Sequence, residues 1–167
     1  MARKCFYSFH YKPDCQRAAQ VRNIGSIEGN RPALDNAWES ITRGGDEEIK
    51  RWIAEQMKGT SCTIVLVGSN TAKRKWIDYE IIESWNNGKG VVGIHIHGLK
   101  NFLGLTSEKG QNPFTHIIYD PHGSNRSLST IVNCYDPPGY DSKERYRWIQ
   151  DNILGSVEEA IEIRANY

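Results

Sequence analysis

Short β-branched or apolar runs alternate along this chain with longer segments whose apolar residues recur every three to four positions, the pattern of a parallel sheet covered by helices. Cys5-Phe6-Tyr7-Ser8-Phe9 reads as a first strand. A helix is expected from Pro13-Asp14 through Ala18, Ala19 and Val21, with Asp14 as its N-cap. A short second strand is expected between Arg22 and Glu28, then a helix that starts at Pro32 and carries Leu34, Ala37, Trp38 and Ile41 as far as Gly44-Gly45. Asp46, Glu47 and Glu48 place negative charge on the first turn of the next helix, whose apolar stripe is Ile49, Trp52, Ile53 and Met57 and which Gly59 closes.

Cys62 to Val67 is nearly all apolar, as a central strand buried on both faces should be. The helix carrying Trp76 and Glu80 follows, and Gly88-Lys89-Gly90 turns the chain into a strand from Val91 to His97. Leu99 to Pro113 reads as a polar, glycine-containing loop long enough to serve as a lid. His116 to Tyr119 and Leu128 to Cys134 are shorter strand candidates. A long helix ends the chain, with Asp141 and Glu144 at capping-box spacing and Tyr146, Ile149, Ile153, Val157 and Ile161 on its apolar face. The expected fold is therefore α/β with a central, mostly parallel sheet, and 167 residues at 38% hydrophobic content suit a single domain over residues 1–167.

A net charge of +1 leaves no basic excess to attract nucleic acid. Cys5, Cys15, Cys62 and Cys134 form no Cys-x-x-Cys pair and accompany no secretory leader, which favours reduced thiols in the cytoplasm over a disulfide framework. No apolar run approaches the ~20 residues of a membrane span.

The segment Trp76-Ile77-Asp78-Tyr79-Glu80-Ile81 carries the strongest chemical signal, because residues four apart share a helix face and set one carboxylate beside an indole. Ligands of open α/β sheets bind at strand carboxyl ends, and this pair suits a ring that develops positive charge. Glu80 could instead be a solvated glutamate paired with Lys75, and Glu83 lies one turn further on. Trp76 is suited equally to stacking on a base and to filling space between helix and sheet. Trp38 and Trp52 fall on apolar stripes and read as core. Phe9, His10 and Tyr11 leave the end of the first strand, where they would meet the same ligand. Ser69, Asn70 and Thr71 link a buried strand to a helix, a place for phosphate contacts or for ordinary capping. His95 and His97 share a strand face without a third ligand at a recognisable spacing, so no metal is expected. There is no Walker or Rossmann glycine fingerprint.

Cys5-Phe6-Tyr7-Ser8-Phe9-His10-Tyr11, Ser69-Asn70-Thr71, Trp76-Ile77-Asp78-Tyr79-Glu80-Ile81 and Gly93-Ile94-His95-Ile96 resemble, in order and spacing, the prokaryotic TIR-like domains of the Thoeris antiphage ThsB family. The resemblance covers roughly the first 120 residues, and its two aromatic pieces are specific when found together. It implies a flavodoxin-like three-layer sandwich that uses NAD as substrate, releases nicotinamide, and makes a cyclic or modified ADP-ribose signal. A separate ThsA-like effector would read the signal, a phage-derived trigger would start it, and a homo-oligomer is a further expected partner. By the same resemblance Glu80 is catalytic, and Phe6, Ser8, Phe9, His10, Tyr11, Ser69, Asn70, Thr71 and Trp76 bind substrate. The Asp-x-x-Pro-Gly type loop of receptor TIR domains is absent around Glu28 to Pro32.

The chemistry agrees with a lone acid. Breaking the ribose–nicotinamide bond passes through an oxocarbenium-like state that one carboxylate can stabilise, and nicotinamide leaves neutral, so no metal or cofactor is required. The alternative class is a non-catalytic TIR-like interaction module, which needs no pocket acid. A receiver-like domain is a weaker third reading, since the first strand ends in Phe9-His10-Tyr11 and lacks the acidic pair that holds Mg²⁺.

Overall fold

The computed structural model describes residues 2–30 and 41–167. Strands β1 (Arg3–Ser8), β2 (Ile27–Gly29), β3 (Cys62–Val67), β4 (Gly90–His95) and β7 (Cys134–Tyr135) form one sheet in the order β2-β1-β3-β4-β7. Every pairing in it is parallel. Helices α1 (Tyr11–Arg22), α2 (Asp46–Met57), α3 (Lys75–Asn86) and α4 (Ser142–Ala165) cover its two faces. This is the doubly wound, flavodoxin-like α/β sandwich, and the strand order reverses between β1 and β3, which makes their carboxyl ends the switch point.

Alternation along the strands assigns the layers. Cys5 and Tyr7 of β1, Ile64 and Leu66 of β3 and Val92 and Ile94 of β4 pack against Ala18 and Val21 of α1 and Ile149, Ile153 and Val157 of α4. On the other face Val65, Val67 and Val91 meet Ile77, Ile81 and Trp85 of α3, while Phe6 meets Ile49, Ile53 and Met57 of α2. Ser8 shares the Phe6 face and so points toward the α3 side, where Thr63 Oγ1 also reaches Ser84 Oγ at 2.5 Å. Gly90 lets α4 cross closely, because a Cβ there would lie 2.8 Å from Ile161 N.

Several expectations need correction. Helix α1 begins at Tyr11 with His10 at the N-cap, because Pro13 in the first turn needs no amide donor. Asp14 is not a cap: its carboxylate is buried, 3.5 Å from Arg17 Nη1, and packed on Gly68. The stretch Leu128 to Cys134 is a 3-10 turn, Leu128–Thr130, that leads into β7. Its neighbours Ile118–Tyr119 (β5) and Arg126–Ser127 (β6) form a separate antiparallel pair. The helix expected from Pro32 lies outside the described residues except for its end at Ile41, which packs beside α2. In α4, Asp141 accepts from Glu144 N as expected, and the Glu144 carboxylate accepts from Tyr140 N. No described helix is long and apolar enough to cross a membrane.

Candidate active site

A cavity of about 1040 Å³ opens at the carboxyl ends of β1 and β3, at the switch point. Glu80 of α3 lies in its wall with only 8% of its surface exposed. The Ser8 hydroxyl donates to Glu80 Oε2, and no cation among the described residues pairs with the carboxylate. Burial therefore dominates and pushes the Glu80 carboxyl up to about 8, only partly opposed by the Ser8 hydrogen bond. Lys75, the partner a solvated glutamate would have used, is bound to Asp46 Oδ2 at 2.7 Å and lies over the Trp76 ring. Glu83 stands outside this cavity, its carboxylate accepting from Asn87.

Trp76, one turn before Glu80, also lines the cavity, its ring edge-on to Tyr79 at 5.5 Å between centroids. It packs against the α2 cluster at the same time, so stacking surface and core filler are one residue. Phe6, Phe9, His10, Tyr11 and Asn70 join it in the lining. His10 Nδ1 is buried without a hydrogen-bond partner among the described residues, and burial, then Arg74 and Lys12, hold its pKa below the ordinary value. Ser8 lies beneath the lining, reaching the cavity through Glu80. Ser69 and Thr71 do not line it: Thr71 is buried, and its Oγ1 accepts from Gly68 N at 2.8 Å, which spends the hydroxyl on the turn itself.

The sequence reading missed part of the wall. Trp52, expected in the core, borders the cavity. So does Asn30, whose Oδ1 accepts from Tyr7 N at 2.8 Å and fixes the end of β1. The run Lys73-Arg74-Lys75 at the start of α3 was a readable signal of positive charge at a strand-to-helix turn. The turn places all three along the cavity's edge.

The loop from Leu99 to Pro113 contributes nothing to the lining and is no cover for this cavity. It is fastened to the opposite helix layer, with Arg17 donating to Leu99 O and Leu105 O, and Gln20 to Lys100 O. Gly110 then packs on Gly68 O, where a Cβ would come within 2.1 Å. The expectation of a lid failed because buried Arg17 holds the backbone that sequence alone left unpartnered. His95 and His97 stack edge to face at 5.7 Å near Lys109 and Asp136, and burial lowers His95 to about 4. Among the described residues no three His, Cys, Asp or Glu side chains gather as a metal site.

A 2-1-3-4-5-like parallel sheet with an acid and an indole on the first turns of the helix after β3 defines a TIR-like domain. The family model described as Thoeris protein ThsB, TIR-like domain, matches residues 6–101. A protein of Bacillus cereus (strain MSX-D12), named as a candidate cyclic ADP-D-ribose synthase, ThsB1, is 35% identical over 133 residues, 77% of this chain and 69% of that protein. The chain belongs to the Thoeris ThsB TIR-like domain family.

Proposed function

We propose that this protein cleaves NAD at the ribose–nicotinamide bond, with Glu80 as the catalytic carboxylate, and converts the ADP-ribose portion into a cyclic or otherwise modified signal. The observation that carries this reading is a buried carboxyl in the wall of a nucleotide-sized cavity, without a cationic partner among the described residues. Such a group meets its missing positive charge in the ligand: first the nicotinamide ring, then the oxocarbenium-like ribose. The name carried by the Bacillus cereus relative supports the same chemistry.

Each neighbour has a role in this scheme. Ser8 fixes the Glu80 carboxyl and favours its ionised form. Trp76 offers a ring face next to the acid, and Phe9 and Tyr11, 6.2 Å apart between centroids, flank the first-strand side. His10, held neutral by burial and its cationic neighbours, offers a hydrogen bond without adding charge. The product would act on a separate effector. Incubating the purified protein with NAD and measuring free nicotinamide tests the reading.

A further inference from the structure

Five cationic side chains border the cavity, while Glu80 is its one carboxylate lining residue among those described. Two of the five are engaged elsewhere. Lys75 binds Asp46, and Arg22 donates to Asn30 O and lies over the Tyr7 ring. Lys12, Lys73 and Arg74 differ. Lys12 and Lys73 have no hydrogen-bond or ion-pair partner among the described residues, and Arg74 donates its Nε to Asn70 O at 3.0 Å. All three are exposed at the cavity's mouth. Arg74 and Lys12 both reach His10 electrostatically, so they approach the same part of the opening from α3 and α1. Lys73 holds φ +66°, a conformation easier for glycine or asparagine, in the turn before α3. Both helices begin at this mouth, and their N-cap residues, His10 and Arg74, make no side-chain cap hydrogen bond, so the positive helix ends add to the field of the three cations.

Like charges around one opening repel one another and favour a polyanion between them. Arg74, the N-cap of α3, and Glu80 are six positions apart, an axial rise of ~9 Å that matches a ribose with its 5′-phosphate. We propose that Lys12, Lys73 and Arg74 form the subsite for the diphosphate of a nucleotide whose ribose lies against Glu80. This rests on the reading of the cavity as an NAD site and assigns NAD's diphosphate bridge to these three cations, in place of Ser69 and Thr71.

Calorimetric titration with ADP, inorganic pyrophosphate and adenosine tests the subsite without requiring turnover. The Lys12→Ala/Lys73→Ala double variant is expected to bind ADP and pyrophosphate about tenfold more weakly than the parent, and Arg74→Ala to weaken both as well. Adenosine binding should not change. Lys143→Ala/Arg147→Ala, which removes the same charge from exposed positions on α4, controls for the long-range field and should bind like the parent. In steady-state NAD cleavage the double variant should raise KM about tenfold with little change in kcat. Failure of the parent to bind ADP or pyrophosphate, equal binding by the double variant, or equal weakening in the α4 control would overturn the subsite. Diphosphate binding lost in the double variant, in a protein that releases no nicotinamide, would keep the subsite and remove the enzyme reading. Nicotinamide release at unchanged KM in the double variant would do the reverse.

Discussion

The Ser8 hydroxyl donates to Glu80 Oε2, joining the last residue of β1 to the second turn of α3 beneath the cavity. Both side chains are buried, so the bond lies where water cannot substitute for it. It exists because Ser8 shares the Phe6 face of β1, the face covered by α2 and α3. The bond fixes the carboxyl in the cavity wall, where no cation among the described residues meets it.

That relationship sets a pH dependence. Burial raises the Glu80 carboxyl to about 8, so the empty site holds it largely protonated at neutral pH. If the carboxylate is the active form, kcat/KM for NAD should climb about tenfold per pH unit below the inflection and level off above pH 8. Ser8 favours the charged form, so Ser8→Ala should move the inflection to higher pH. A profile that is flat from pH 6 to 9 in the parent, or one that Ser8→Ala leaves in place, would contradict the assignment.

Stability should carry the opposite sign. Glu80 binds its proton more tightly in the folded chain, at about 8, than at the ordinary 4.5. Its contribution to stability is therefore complete below pH 4.5 and lost as pH rises through about 8. Glu80→Gln escapes that loss. Denaturant unfolding should find the variant close to the parent at pH 5 and more stable by roughly a few kcal/mol at pH 9. A gap that does not widen with pH would mean the carboxyl is not buried as described.

Asp14 and Arg17 form a second buried pair, and Arg17 also holds the 99–105 backbone through Leu99 O and Leu105 O. Arg17→Met strands the Asp14 charge and frees those carbonyls, so it should destabilise the domain by about 3–5 kcal/mol. Asp14→Asn in the same chain should recover part of that loss. Chemical unfolding of the single and double variants checks this, and a double variant no more stable than Arg17→Met would count against the pairing.

The alternation of strands and helices, the central strand and the Trp76/Glu80 face were legible because periodicity and β-branched runs report burial directly. Glu80 was legible for the same reason: four residues on a helix place it on the Trp76 face. What stayed hidden was long-range. Ser8 reaches Glu80 across 72 positions, and Arg17 reaches Leu105 across 88. Neither contact leaves a local pattern, so the tie from Ser8 to the acid and the fastening of the Leu99 to Pro113 loop do not show in the sequence. Asp14 misled for a similar reason. It sits near a helix start, where capping is the local expectation, yet tertiary contacts with Gly68 and Arg17 claim its carboxylate.

Nicotinamide release from NAD tests the central claim most directly, measured in parallel for the parent protein, Glu80→Gln and Glu83→Gln. The parent should release nicotinamide, Glu80→Gln should lose at least ~100-fold of that rate, and Glu83→Gln should keep most of it. No release by the parent, or equal losses in the two variants, would contradict Glu80 as the catalytic group and leave the domain an interaction module.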